Sequence, residues 1–267
     1  MTGLALITLS PQGLASARVL RETLGEGSLH AHRGVPAADA EPFERLAELL
    51  TGLWPIRRRM VLFAPTGAVV RALAPRLESK YTDPAVVVAD VHGRWAIALL
   101  SGHEGGANAL AHRVANALGG EPIVTTTTDA VKDLIAGVGC RRGTPPEPIV
   151  AAVRDALGRS GLPLERVRLL ASADLKASEP GLLEAARRLD LPVRFIPSAA
   201  IRSSPLRFSP SAAAVRQVDL PGVAEPAALL AGSRTRLLLP RTVIQGVTVA
   251  LAQEGWAGST SFQESQT

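Results

Sequence analysis

Short apolar runs, each followed by a glycine- or proline-bearing turn and then by apolar residues at helical spacing, recur from one end of this sequence to the other. That alternation predicts an α/β architecture. Leu4 to Leu9 reads as a buried strand, Ser10-Pro11-Gln12-Gly13 as a turn and Leu14 to Leu24 as a helix. A polar connection over 25–40 leads to a second helix carrying Phe43, Leu46, Ala47, Leu49 and Leu50. Met60 to Ala64 and the Thr66-Gly67 turn repeat the strand-to-helix step. Ala85 to Asp90 and Arg94 to Leu100 are parted by Val91-His92-Gly93, a break that predicts a hairpin and one antiparallel pair. A glycine-rich turn, a helix through Leu110, Ala111, Val114 and Leu118, and a strand over Pro122 to Val124 close the first half.

The cycle restarts at Leu134 to Val138, with a helix from Pro145 to Leu157 announced by Thr144-Pro145-Pro146-Glu147, which has the form of a capping box. Strands over Val167 to Ala171 and Val193 to Ile196 follow, with a helix over Gly181 to Leu189 between them and a short helix over Pro226 to Ala231 after. Arg236 to Leu239 and Gly246 to Leu251 are the last strands. The prediction is two three-layer α/β/α domains with mostly parallel sheets, over 1–132 and 133–252, with a polar tail over 253–267. The Ser-, Pro- and Arg-rich stretch Ala200 to Arg216 is expected to be a mobile loop.

Composition narrows the function classes. A lone cysteine, Cys140, excludes an internal disulfide and a tetrathiolate zinc site, and the aromatic share of 3% argues against stacking platforms for bases. No apolar run approaches the ~20 residues of a membrane span, and the start lacks the basic region of a signal peptide. The expected address is therefore cytoplasmic, without a membrane partner. The net charge of +5 comes mainly from arginines scattered singly or in pairs, not from a tract. That pattern argues against nucleic acid and fits a small polyanionic ligand, the alternative being a basic surface set by composition alone. Nothing in the sequence speaks to oligomeric state.

Four segments can carry chemistry. Ser101-Gly102-His103-Glu104-Gly105-Gly106-Ala107-Asn108 follows a strand and opens a helix, so its glycines free backbone N–H groups to face an anion. His103 or Glu104 there can serve as general base toward water, or the segment is a plain tight turn with His103 solvated. Gly137-Val138-Gly139-Cys140-Arg141-Arg142-Gly143-Thr144 adds two arginines to such a loop and suits carboxylates; it departs from a dinucleotide fingerprint by one residue before the third glycine. Cys140 reads as a nucleophile or as a small core residue. Asp174 and Lys176 lie where a strand ends, with a salt bridge from Lys176 to Asp174 or Glu179 as the alternative to substrate binding. Thr125 to Asp129, including Thr127, can hydrogen-bond a polar ligand or cap a turn. The histidines show no metal-ligand spacing, so no metal site is expected.

Taken together, these motifs resemble the CbiG family of cobalamin-biosynthesis proteins. The first half is similar to its N-terminal domain in Thr66-Gly67-Ala68-Val69-Val70-Arg71, in Lys80-Tyr81-Thr82-Asp83-Pro84-Ala85-Val86, in Ser101-Gly102-His103 with Gly105-Gly106-Ala107-Asn108, and in the threonine run to Asp129. The second half resembles its C-terminal domain in Gly139-Cys140-Arg141-Arg142-Gly143-Thr144, in Ser172, Asp174, Lys176 and Glu179, and in Val247-Thr248-Val249-Ala250. The resemblance implies hydrolysis of the δ-lactone of cobalt-precorrin-5A with release of acetaldehyde. It also implies a tetrapyrrole substrate that brings its own cobalt, no further cofactor, and neighbouring pathway enzymes as partners. His103 or Glu104 would activate water. Arg71, Lys80, Ser101, Gly102, Gly105, Gly106, Asn108, Thr127, Asp129, Arg141, Arg142, Thr144, Asp174 and Lys176 would hold the acid-bearing macrocycle. Longer members carry a central domain for which there is no room between Asp129 and Leu134, and Arg241 stands where a lysine is expected. A non-catalytic corrinoid carrier of the CobE type, in the aerobic route, is the alternative.

Overall fold

The computed structural model describes residues 3–210, 215–216 and 219–255. Its internal contacts divide the chain into two units, Met1–Thr126 and Thr127–Thr267.

The first unit is a seven-stranded sheet in the order β3-β2-β1-β4-β5-β6-β7. The strands are β1 (Leu4–Thr8), β2 (Ser28–His32), β3 (Glu41–Phe43), β4 (Arg59–Phe63), β5 (Ala85–Ala89), β6 (Trp95–Leu100) and β7 (Glu121–Ile123). Every residue of β1, β5 and nearly all of β4 is buried, as a central strand covered on both faces requires. Pleating sends Leu4, Leu6 and Val87 toward helices α1 (Pro11–Leu24) and α4 (Ala107–Leu118), and Ala5, Ile7, Met60 and Val88 toward α2 (Leu46–Leu53) and α3 (Thr66–Leu73). Three layers result. The α1 N-terminus is closed by Ser10, whose Oγ accepts from Gly13 N at 3.1 Å, and its end by Gly25 in the left-handed region at φ 67°.

Two strands lie where the sequence reads otherwise: β2 in the polar connection over 25–40, and β3, which ends at Phe43, where the second helix is expected to begin. β2 (Ser-Leu-His-Ala-His) buries its middle three residues, and β3 pairs with it in parallel. His30 is 1% exposed, and its ring meets Ser28 Oγ at 2.9 Å and Glu41 at 3.3 Å, so a buried strand is partly polar and escapes a hydropathy reading. The predicted hairpin is present: β6 runs antiparallel to β5, with Val86 opposite Leu100, while the other pairings of this sheet are parallel.

The second unit begins with a short helix, α5 (Thr127–Ala130). Its sheet has the order β10-β9-β8-β12-β11, built from β8 (Leu134–Gly139), β9 (Val167–Ala173), β10 (Val193–Ile196), β11 (Thr235–Ile244) and β12 (Val247–Glu254). β8, β9 and β10 are mutually parallel, whereas β12 is antiparallel to β8 and forms a hairpin with β11, so this sheet is evenly mixed. Helices α6 (Pro146–Arg159) and α7 (Pro180–Leu189) cover one face. The other is covered by α8 (Ser198–Ser203) and by α9 (Ala224–Leu230), which packs on the sheet through Ala224, Ala227 and Ala228. α9 approaches so closely that a Cβ on Gly137 would stand 1.9 Å from Ala224 O.

The capping box expected at Thr144 does not form. A residue preceding proline is driven out of the helical region, and Pro145, before Pro146, is extended at φ −67° and ψ 163° and occupies the cap position without a side-chain acceptor. The Thr144 hydroxyl instead donates to Arg141 O at 2.8 Å, and Glu147 pairs with Arg188 at 2.6 Å. Gln253 and Glu254, expected in a tail, belong to β12, where they bond Asp133 at 2.6 Å and Arg168 at 2.6 Å. Of the predicted mobile stretch, α8 takes the beginning, and residues 211–214 lie outside the described residues, as do 256–267 of the tail. No described helix is long and apolar enough to cross a membrane.

Candidate functional site

The antiparallel direction of β6 places the 101–106 loop, at its carboxyl end, beside the amino ends of β4 and β5 and the connection that enters β5. Three separate motifs meet there. Ser101 Oγ donates to Asp83 O at 2.9 Å; Lys80 Nζ lies 2.7 Å from Glu104 Oε1; Asn108 Nδ2 donates to Thr126 Oγ1 at 2.9 Å. Asp83 in turn accepts from Glu78 N through both carboxylate oxygens, at 3.3 and 3.2 Å, which folds the 78–83 connection onto itself.

The loop is tightly specified. Ser101 adopts φ 54°, uncommon for a residue with a side chain, and its carbonyl accepts from both Gly105 N and Ala107 N at 3.1 Å. A Cβ on Gly105 would stand 2.4 Å from Ser101 Cβ, and one on Gly102 would stand 2.7 Å from both Asn108 Oδ1 and Thr126 Cγ2. Gly106, at φ 85°, turns the chain into α4. These glycines are thus needed for close approach or for a left-handed turn.

His103 and Glu104 are both exposed at the crest of this loop. The Lys80 ammonium, hydrogen-bonded to Glu104, holds that carboxyl below the usual carboxylate range. Lys80 also lies 4.9 Å from the centroid of the Tyr81 ring. Arg71 does not join the group: its Nη1 turns back to Gly67 O of its own helix, at 3.1 Å. Thr127 and Asp129 fall in α5 of the second unit, where Asp129 meets Lys132 at 3.3 Å. The sequence places Thr126 in a run able to bond a polar ligand and Asp83 in a family-like motif, but singles out neither as a site residue. The hairpin held the clue, since an antiparallel β6 must return its far end to the entry of β5.

In the second unit, the loops leaving β8 and β9 form another cluster at the carboxyl ends of parallel strands, beside the point where the strand order reverses. Arg141 and Arg142 are exposed. Buried Ser172 donates to Val138 O at 2.8 Å and ties the two strands together. Asp174 is engaged by Ser198, from both its hydroxyl and its N–H, the latter at 3.0 Å. Lys176 Nζ lies 3.5 Å from Glu179 Oε2, while Glu179 Oε1 accepts from Gly143 N at 2.6 Å. Thr144 spends its hydroxyl within the loop. Burial pushes the Cys140 thiol up, with Lys176 only partly countering it, so the thiolate needed for nucleophilic attack is disfavoured.

Among the described residues no group of three His, Cys, Asp or Glu side chains is placed to hold a metal ion. A cleft of about 340 Å³, lined by residues that include Thr66, Val88, Asp90, Trp95 and Ile97, opens at the other end of the first sheet, away from the Ser101 loop.

Comparison with known proteins agrees with this division. Residues 48–129 match the family described as Cobalamin synthesis G N-terminal, and residues 134–252 match Cobalamin synthesis G C-terminus. The cobalt-precorrin-5A hydrolase of Salmonella typhimurium is 27% identical over an alignment 284 positions long, which covers 72% of this chain and 81% of that protein. Protein CobE of Sinorhizobium sp is 35% identical over 128 residues, covering 47% of this chain and 83% of that one. The crystal structure of CobE, a protein from the cobalamin (vitamin B12) biosynthetic pathway, aligns at 40% identity over 46% of this chain and 90% of its own, with a TM-score of 0.43. The chain belongs to the cobalamin synthesis G family and carries both its N-terminal and its C-terminal domain.

Proposed function

We propose that this chain acts in cobalamin biosynthesis as a cobalt-precorrin-5A hydrolase, opening the δ-lactone of the substrate and releasing acetaldehyde. The observation that carries this reading is the joining of the 78–83, 101–108 and 126 motifs around one strained, glycine-hinged turn with His103 and Glu104 at its crest. The similarity to a relative named as this hydrolase extends over 72% of the chain and adds support.

Hydrolysis needs a base at a water molecule and donors near the oxygen that gains charge. Imidazole is the side chain suited to take a proton near neutrality, and His103 is exposed where a large substrate can reach it. Glu104, held as a carboxylate by Lys80, keeps the loop in place and is a weaker base for that reason. Water adds to the lactone carbonyl carbon, its proton passing to His103, and the acyl–oxygen bond breaks to leave a carboxylate and a hydroxyl. Loss of the hydroxyl proton then forms the aldehyde as the neighbouring carbon–carbon bond breaks, and that electron pair enters the conjugated macrocycle. No cofactor beyond the cobalt of the substrate is required. Arg141, Arg142 and Lys176 are assigned to acetate and propionate groups, for which guanidinium forks are well matched.

A carrier of corrinoid intermediates is the second reading, favoured by the 35% identity to CobE over 47% of this chain. Either role hands the ring on to a neighbouring pathway enzyme. Purified protein incubated with cobalt-precorrin-5A separates the two. The hydrolase releases acetaldehyde with turnover, whereas a carrier binds the ring and releases none, and that result would overturn the enzymatic reading.

A further inference from the structure

Glu179 is a buried carboxylate, 6% exposed, at a rim that carries Arg141, Arg142 and Lys176, which suit anions, beside the Ser198-bonded Asp174. Removing a carboxylate from water is unfavourable unless it is hydrogen-bonded and paired. Both conditions are met by two different loops: Gly143 N donates to Oε1 at 2.6 Å, and Lys176 Nζ stands 3.5 Å from Oε2. Gly143 is in the left-handed region at φ 74°, and Thr144 Oγ1 closes the same turn onto Arg141 O at 2.8 Å. The bond to Glu179 therefore holds the short stretch from which Arg141 and Arg142 project into solvent. Neither arginine has an ion-pair partner among the described residues.

We propose that Glu179 is a positioning residue for anion binding in the second unit: it pins the 141–144 loop and holds the Lys176 ammonium in reserve until a ligand carboxylate competes for it. This rests on the assignment of Arg141, Arg142 and Lys176 to substrate carboxylates made above. Two substitutions separate the two parts of the role. The amide oxygen of Glu179→Gln still accepts from Gly143 N but no longer neutralises Lys176, whereas Glu179→Ala removes both functions.

The test is a fluorescence titration of the full chain with uroporphyrin, a porphyrin bearing acetate and propionate groups, with thermal unfolding measured in parallel. The expected result is opposite signs: Glu179→Gln binds about threefold tighter, with a steeper fall in salt, because a freed ammonium is gained near the surface. Glu179→Ala binds about tenfold more weakly, because loss of the hydrogen bond to a charged acceptor that held the loop outweighs the ammonium that this variant frees as well. Affinities that fall together in step with the two unfolding temperatures, or that do not change, would overturn the proposal. The double variant Arg141→Ala/Arg142→Ala is the control. If its affinity is unchanged, the loop is not an anion site and the role of Glu179 falls with it; if its affinity drops while both Glu179 variants bind normally, the role of Glu179 alone is refuted.

Discussion

Lys80 and Glu104, 24 positions apart, meet at 2.7 Å across the turn that Ser101 starts. Lys80 comes from the connection entering β5 and Glu104 from the loop leaving β6, so the pair spans the two segments that the hairpin brings together. Its effect is electrostatic: the ammonium keeps Glu104 ionised to lower pH than a free carboxyl.

Lys80→Ala should therefore shift the pH dependence of acetaldehyde release. Without Lys80 the Glu104 carboxyl returns upward and protonates at higher pH, so the lower part of the acid limb of kcat/KM, beneath the step set by the general base, moves up. Unfolding temperature should change little, since both side chains are exposed. A pH–rate profile with an unmoved acid limb counts against any part for Glu104.

His103→Ala should lower kcat about a hundredfold or more while leaving KM within a few-fold, as loss of a general base does. Single-turnover acetaldehyde assays read the chemical step directly. Equal losses in binding and turnover would remove His103 from proton transfer.

The loop glycines should differ in kind. Gly105→Ala drives a methyl into Ser101 Cβ at 2.4 Å, and the loop must shift at a cost of about 1–3 kcal/mol. Gly106→Ala meets nothing within 4 Å and bears only the cost of its φ of 85°, about 1 kcal/mol. Urea unfolding midpoints and acetaldehyde release should rank Gly105→Ala as the more damaging in both.

Acid should selectively cancel the contribution of Asp133. Burial alone would raise its carboxyl, but Arg166 and Gln253 outweigh it and hold the value below 3.8. The folded value is the lower, so the stabilisation is fully present above 3.8 and is lost as pH falls through the folded value beneath it. Asp133→Asn should cost about 1 kcal/mol at neutral pH. The gap to the parent chain should close in strong acid, and a gap constant with pH would show that the charge contributes nothing.

The α/β alternation, the β5–β6 hairpin and the glycine loops were all legible in the sequence, because each rests on local spacing. β2 was not, because its buried histidine has polar neighbours of its own: His30 meets Ser28 two residues back on the same strand and Glu41 on the next. Thr144 also reads wrongly for a local reason, since the Pro145-Pro146 pair moves the start of α6 one residue on and leaves the hydroxyl to Arg141. Glu104 is legible as a residue of the site but not as a partner of Lys80, and Asp83 enters through its backbone carbonyl, which no side-chain motif marks.

One reversed strand has a wider consequence. Enzymes of doubly wound architecture usually gather ligands along the rim where their parallel strands finish, and here β6 carries the His103 loop to the opposite rim. If His103 has the role proposed for it, superposing this chain on such enzymes by fold would point a search for its reactive groups at the wrong side of the sheet.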